Sequence, residues 1–174
     1  MVNQGDKIAE IITDPIDSTK IAGEWYNQLG SKMILEVDNK PDGGLSGKYN
    51  SAVGNADDFY ILAGRFDTEP PAYGGVSVGW TVTYRNEIHP NAHSTATWSG
   101  QYFDNGPDFD KERILTHWLL TTSQPTKYTW KSTNVGHDTF TRDKPCPAEI
   151  AMAQALTVGS PHPEAILAMY ERHA

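Results

Sequence analysis

Turn-forming residues punctuate this chain at short, regular intervals between Gly23 and Arg142. Asp42-Gly43-Gly44, Val53-Gly54-Asn55, Pro70-Pro71, Gly74-Gly75, Pro90-Asn91, Asn105-Gly106-Pro107 and Gln124-Pro125 each break the backbone. The stretches between them are of strand length and rich in Trp, Tyr, Thr and Val, residues that fit a pleated, half-buried surface. Eight such runs lie near 23–29, 31–37, 45–51, 58–66, 76–85, 93–103, 112–122 and 127–141. Successive strand side chains point to opposite faces. Ser94, Ala96 and Trp98 therefore share a face, as do Trp118 with Leu120, and Trp80 with Val82 and Tyr84. Large aromatics recur beside small polar residues, with more hydroxyls than a solid core needs. Eight antiparallel strands can close into a barrel whose interior just holds one small ligand. The expected fold is all-β: an eight-stranded antiparallel up-and-down β-barrel with a short helical C-terminal extension.

The length of 174 residues fits one domain with tails. Residues 1–21 read as a flexible leader, 22–143 as the barrel and 144–174 as a helical tail. Within the tail, PAEIAMAQAL (147–156) consists of strong helix formers opened by a proline, and EAILAMYERH (164–173) offers a second short helix. Lys plus Arg number 14 against 22 Asp plus Glu, for a net charge of −8. That balance argues against nucleic acid or an anionic membrane as partner. No apolar run approaches the roughly 18 residues of a membrane span. The first twenty residues carry Asp6, Lys7, Glu10, Asp14 and Asp17 and show no apolar signal-peptide core. The chain is therefore expected to be cytoplasmic or the mature form of a secreted protein. A single cysteine, Cys146, excludes an internal disulfide and a multi-cysteine zinc site.

Nothing in the residues marks an enzyme. Asp138 follows His137, but neighbours on a strand face opposite ways, so the pair does not form a catalytic dyad. Asp138 reads instead as a hydrogen-bonded interior carboxylate. No base–nucleophile pair and no cofactor motif is visible. No catalytic residue, metal ligand or cofactor is expected.

Five segments carry a resemblance. GEWYNQLGS (23–31), YNSAVGNA (49–56), NAHSTATWSGQY (91–102), THWLLT (116–121) and WKSTNVGHDTF (130–140) stand in one order along the chain. Together they resemble the avidin/streptavidin family of biotin-binding proteins, the body being closest to streptavidin. The tail, with PAEIAMAQAL, is more similar to that of the fungal tamavidins. The resemblance implies that the barrel mouth holds biotin as ligand. Asn27, Ser31 and Tyr49 would hold its ureido oxygen, and Ser51 and Asp138 would accept its ureido N–H groups. The Asn55 backbone and Ser94 would meet its carboxylate. Its apolar body would lie among Leu29, Val53, Tyr84, Trp98, Trp118 and Leu120, with Trp130 reaching in from a neighbouring subunit. A homo-oligomer, most simply a tetramer, is implied, with His117, Val135 and His137 at an interface between subunits. Histidines near a twofold axis repel when charged, so looser assembly is expected below about pH 6.

Two positions depart from the family pattern. Ala96 stands where streptavidin supplies a hydroxyl to the biotin sulfur, and Tyr84 replaces one tryptophan wall. These changes imply weaker discrimination against desthiobiotin, which lacks the sulfur. The function implied is high-affinity, non-covalent biotin binding, with sequestration of the vitamin as its purpose. The alternative is an avidin-like barrel of weakened affinity whose tail plugs the pocket or drives larger oligomers.

Overall fold

A computed structural model of the chain describes residues 16–38, 41–53, 58–72, 74–86, 93–104 and 111–156. Eight strands form a closed barrel in chain order: β1 (Gly23–Asn27), β2 (Lys32–Val37), β3 (Gly44–Asn50), β4 (Tyr60–Phe66), β5 (Val76–Tyr84), β6 (Ser94–Phe103), β7 (Arg113–Thr122) and β8 (Thr133–Thr141). Every neighbouring pair is antiparallel, including β1 with β8, so no sheet edge is left open. One helix, α1 (Pro147–Leu156), follows. The all-β barrel with its helical extension is therefore as the turn spacing predicts. The second tail segment, 164–173, lies outside the described residues. Among the described residues no helix is long and apolar enough to cross a membrane.

The period-2 pattern decides what fills the barrel. In β5, Val76, Val78, Trp80 and Val82 are buried while Ser77, Thr81 and Thr83 are exposed. Trp80 stacks on Trp98 with ring centroids 5.9 Å apart, and its edge meets Phe140 at 5.6 Å. Trp118 is half-buried and also faces inward. Gly136 makes this possible, because any Cβ there would stand 2.2 Å from the Trp118 ring.

Apolar residues close one end. Ile21, Trp25, Val76, Tyr102, Ile114 and Phe140 are fully buried. Ile21 belongs to a 3-10 turn, Ser18–Ile21, which the Asp17 side chain caps by accepting from the Thr19 N–H at 3.0 Å. Ser18 and Ile21 of this turn are buried while Thr19 and Lys20 are exposed, and the Ile21 carbonyl accepts from Trp25 Nε1 at 2.8 Å. The Arg142 guanidinium lies 3.6 Å from the centre of the Trp25 ring. It donates to the carbonyls of Lys20, Ala22 and Glu24 and to the Glu112 carboxylate.

The seam between β1 and β8 is narrow. Only Tyr26↔Thr141 and Asn27↔Phe140 pair across it, against ten partners between β6 and β7. Side chains extend it at both ends. Arg142 spans it at the closed end, and Gln28 spans it at the other, donating to the His137 carbonyl at 3.2 Å and accepting from the Thr139 N–H at 3.0 Å.

The last strand begins later than the run 127–141 suggests. Thr126–Lys131 forms a 3-10 turn, and β8 starts only at Thr133. Pro125 starts that turn, with its carbonyl accepting from the Tyr128 N–H at 2.8 Å. Tyr128 and Trp130 are consequently displayed outward, 40% and 60% exposed.

Candidate ligand-binding site

Polar groups gather at the end of the barrel opposite Arg142. Asn27 ends β1 and is buried. Its Oδ1 accepts from the backbone N–H of Leu29 at 3.1 Å and of Ser31 at 2.8 Å, so the turn wraps around the amide oxygen. This fixes the amide orientation: Nδ2 points at Asp138 Oδ1, 3.1 Å away. An amide nitrogen carries two hydrogens, which leaves one for a ligand.

Asp138 sits on β8 and is 5% exposed. Its Oδ1 accepts from Asn27 and from Gln28 Nε2 at 3.2 Å, and its Oδ2 accepts from Trp98 Nε1 at 2.9 Å. A carboxylate oxygen takes about two donors, so Oδ2 has room for one more. Burial pushes the Asp138 carboxyl above its ordinary range. The donors Trp98, Asn27 and Gln28, and then the charge of His137, pull it partly back.

Tyr49 ends the buried face of β3 and tilts against Trp98 with centroids 5.0 Å apart. Burial, then the charges of Asp138 and Tyr84, hold its phenol well above the ordinary value, against the opposing pull of a hydrogen bond with Ser31. Tyr84 is raised likewise by burial, Asp138 and Tyr60. Both phenols therefore stay protonated as neutral donors. Tyr84 meets Tyr60 edge-on at 5.0 Å, and the Tyr60 hydroxyl donates to Asn86 Oδ1. Ser31 is buried, and its Oγ accepts from the Ala52 N–H at 3.0 Å.

The structure thus brings Asn27, Ser31, Tyr49, Trp98 and Asp138 into one connected cluster. Ser94 and Ala96 are buried on the same inner surface, where Ser94 pairs with Tyr84 and Ala96 with Leu120. Trp118 and Leu120 pack half-buried against this core. Other residues stand at the rim. Leu29 lies in the β1–β2 turn, and Val53 is 42% exposed. Ser51 is half-buried and donates to the Val53 carbonyl at 2.9 Å, within its own loop. Asn55 lies outside the described residues. Trp130 does not enter this chain's own barrel. His117, Val135 and His137 occupy the outer surface of β7 and β8, with the two imidazoles 6.4 Å apart.

Three contributors escape a reading of the sequence. Trp98 is expected as an apolar wall but is also a donor to Asp138. Gln28 looks outward by alternation, yet the strand ends at Asn27 and the turn swings its amide over β8. Thr116 is buried and donates to the Asp138 carbonyl at 3.1 Å, a contact that follows from the register Thr116↔Asp138. All three lie inside the resembling motifs, Gln28 in GEWYNQLGS, Trp98 in NAHSTATWSGQY and Thr116 in THWLLT, but a single sequence shows face and not register, so these bonds carried no signal of their own.

Residues 15–143 match the family model described as the avidin family. The chain belongs to the avidin family. It is similar to avidin-related protein 4/5 of Gallus gallus, 32% identical over 125 residues that cover 70% of this chain and 77% of that protein. It is also similar to avidin-related protein 7 of Gallus gallus, 29% identical over 125 residues covering 71% and 78%. The family match spans all eight strands of this avidin-family barrel. It ends at Asp143, before α1, so the helix is carried outside the shared part of the chain.

Proposed function

We propose that this avidin-family barrel binds biotin non-covalently in its mouth and performs no chemistry on it. One observation carries the reading: Asn27, Ser31 and Tyr49 offer donors beside a buried carboxylate with one open acceptor position. A cyclic urea presents the complement, a carbonyl oxygen flanked by N–H groups. Donors on the oxygen and a charged acceptor on an N–H polarise the urea from both sides, and charge-assisted bonds are the strong ones. Ser51 takes the second N–H. Ser94 and the Asn55 backbone hold the valeryl carboxylate, and Leu29, Val53, Tyr84, Ala96, Trp98, Trp118 and Leu120 enclose the rings. The polar groups are already hydrogen-bonded into place, which reduces the ordering needed on binding. Tight binding without turnover suits sequestration of the vitamin.

Titration with biotin, followed by intrinsic Trp fluorescence and calorimetry, tests this. One site per chain is expected. Desthiobiotin is expected to bind with a smaller deficit than a pocket bearing a hydroxyl at position 96 would show. Absence of biotin binding at micromolar concentration refutes the reading.

The outer surface supports a homo-oligomer. Cross-strand register on β5–β8 gives four rows: Thr83, Thr95, Thr121, Thr133; then Thr81, Thr97, Leu119, Val135; then Gly79, Ser99, His117, His137; then Ser77, Gln101, Leu115, Thr139. None of these positions is Asp, Glu, Lys or Arg. Outward positions on β1–β4 include Glu24, Lys32, Glu36, Lys48 and Arg65. An uncharged sheet face suits burial against a second copy, and depletion of charge marks interface cores. The same assembly places an exposed Trp130 at a neighbour's mouth. Light scattering is expected to give the mass of four chains at neutral pH. A smaller mass is expected for the double variant His117→Asp, His137→Asp, which puts charge into this face. A mass that does not change between parent and variant removes the histidines from the interface.

A further inference from the structure

The helix beyond the family-matched region touches the binding turn. A methyl group on Gly30, whose φ is +86°, would stand 3.0 Å from Ile150 Cδ1 and 3.9 Å from the Ala52 methyl. Ile150 of α1 therefore lies on bare backbone of the β1–β2 turn, next to the entry of the β3–β4 loop. Ile150 and Ala153, one turn apart, are the half-buried residues of α1, whereas Met152 and Leu156 are 65% and 68% exposed. The helix start is fixed locally: Glu149 accepts from the Cys146 N–H at 2.7 Å, and the Ile150 N–H donates to the Cys146 carbonyl at 3.1 Å.

What Ile150 covers matters for the ligand. The turn beneath it is the one closed by Gly30 N–H to the Asn27 carbonyl and by the Asn27 N–H to the Ser31 carbonyl, both at 3.0 Å. The loop beside it is joined to that turn by the Ala52 N–H donating to Ser31 Oγ. Ile150 thus sits over the junction that presents Asn27 and Ser31 on one side and Ser51 on the other. Both pieces are short, irregular and at the rim, where backbone order is least supported by packing.

We propose that Ile150 is a positioning residue for the ligand site: the C-terminal helix clamps the Asn27–Ser31 turn to the Ser51–Val53 loop entry before the ligand arrives. The helix acts on the rim from outside. Preorganisation of this kind slows ligand release more than it speeds capture. The inference rests on the biotin reading for its ligand, but the clamp itself has a ligand-free readout in the Ala52 amide.

The test uses the full chain with Ile150→Ser, Ile150→Leu and Met152→Ser. Biotin release is followed by competition, and exchange of the Ala52 and Ser31 amides is followed without ligand. Ile150→Ser is expected to speed release about tenfold and to accelerate Ala52 exchange by a similar factor. Ile150→Leu should restore both, and Met152→Ser, on the exposed face of the same helix, should change neither. The melting temperature of the barrel should stay at the parental value. Unchanged release and unchanged exchange in Ile150→Ser overturn the proposal while leaving biotin binding intact. A parent chain that does not bind biotin, yet shows faster Ala52 exchange in Ile150→Ser, keeps the clamp and refutes the biotin reading instead. Equal effects from Met152→Ser reduce the contact to general helix stability and also overturn it.

Discussion

Replacing Asp138 by Asn is expected to weaken biotin binding by about 10-fold to 150-fold, because a hydrogen bond to a charged group contributes about 1.5–3 kcal/mol. The variant loses the negative charge that polarises the urea. It also sets an NH2 group against a donor, since Asn27, Gln28 and Trp98 all point hydrogens at this carboxylate. Acid should reproduce the loss in the parent protein. A ligand N–H needs the ionised carboxylate, and burial raises the pKa of Asp138 above its ordinary 3.8. Binding should therefore begin to weaken at a pH above the usual carboxylate range. Once Asp138 protonates, affinity should fall about tenfold for each further pH unit. Stability of the ligand-free barrel runs the other way at this residue. A raised folded-state pKa contributes stability that is present in acid and is lost as pH rises through that pKa. Asp138 thus favours the ligand at neutral pH while opposing the empty fold. Calorimetric titrations between pH 7 and pH 3 on parent and Asp138→Asn check both statements. A parent affinity that stays flat across that range, or an Asn variant that binds as tightly as the parent, removes Asp138 from the site.

Arg142→Ala is expected to destabilise the barrel by about 2–4 kcal/mol, which lowers the melting temperature by about 5–15 °C for a chain of this size. The guanidinium serves three carbonyls, one carboxylate and the face of Trp25 at once. Arg142 is 31% exposed and Glu112 25%, so solvent screens their ion pair and it supplies the smaller share. The larger share comes from carbonyls left without donors and from the uncovered indole. Arg142→Lys should recover little, because one ammonium cannot stack on Trp25 and reach four oxygens together. Scanning calorimetry of the ligand-free proteins at one concentration measures this. Biotin affinity at low temperature should stay close to the parent's, since Arg142 lies at the opposite end from Asn27. An unchanged melting temperature contradicts this account of the closed end.

The fold was legible in the sequence because its two signals are local. Turn residues bound each run, and alternation within β5 and β6 separates Trp80, Val82, Ala96 and Trp98 from their threonine neighbours. Residues 127–131 read as strand because Tyr128, Thr129 and Trp130 favour strands, and the turn begun by Pro125 outweighs that preference. The inward placement of Trp98 and Asp138 was equally readable, and that of Asn27 and Tyr49 was readable only through the family resemblance. Their mutual bonds were not, because they depend on register and on barrel closure across more than one hundred residues. Gln28 and Ile150 were missed for a related reason. Gln28 lies just beyond β1, where periodicity stops predicting direction, and Ile150 lies within α1, whose docking on the Gly30 turn is a tertiary contact with no local signal.

The narrow β1–β8 seam has a kinetic meaning. Asn27 and Asp138 lie 111 residues apart and meet only when the first and last strands join. Loop-closure entropy must be overcome before such distant contacts reward it, which slows their formation. Hairpins between successive strands can assemble first, but a seven-strand intermediate lacking β1 has Asp138 without Asn27 or Gln28. If the mouth binds biotin as proposed, a chain whose ring is still open lacks the Asn27–Asp138 pair that would hold the ligand. Once the ring is shut, a molecule bridging Asn27 and Asp138 would pull on both lips of the seam, so an occupant of the mouth would also act as the clasp that keeps the barrel from reopening.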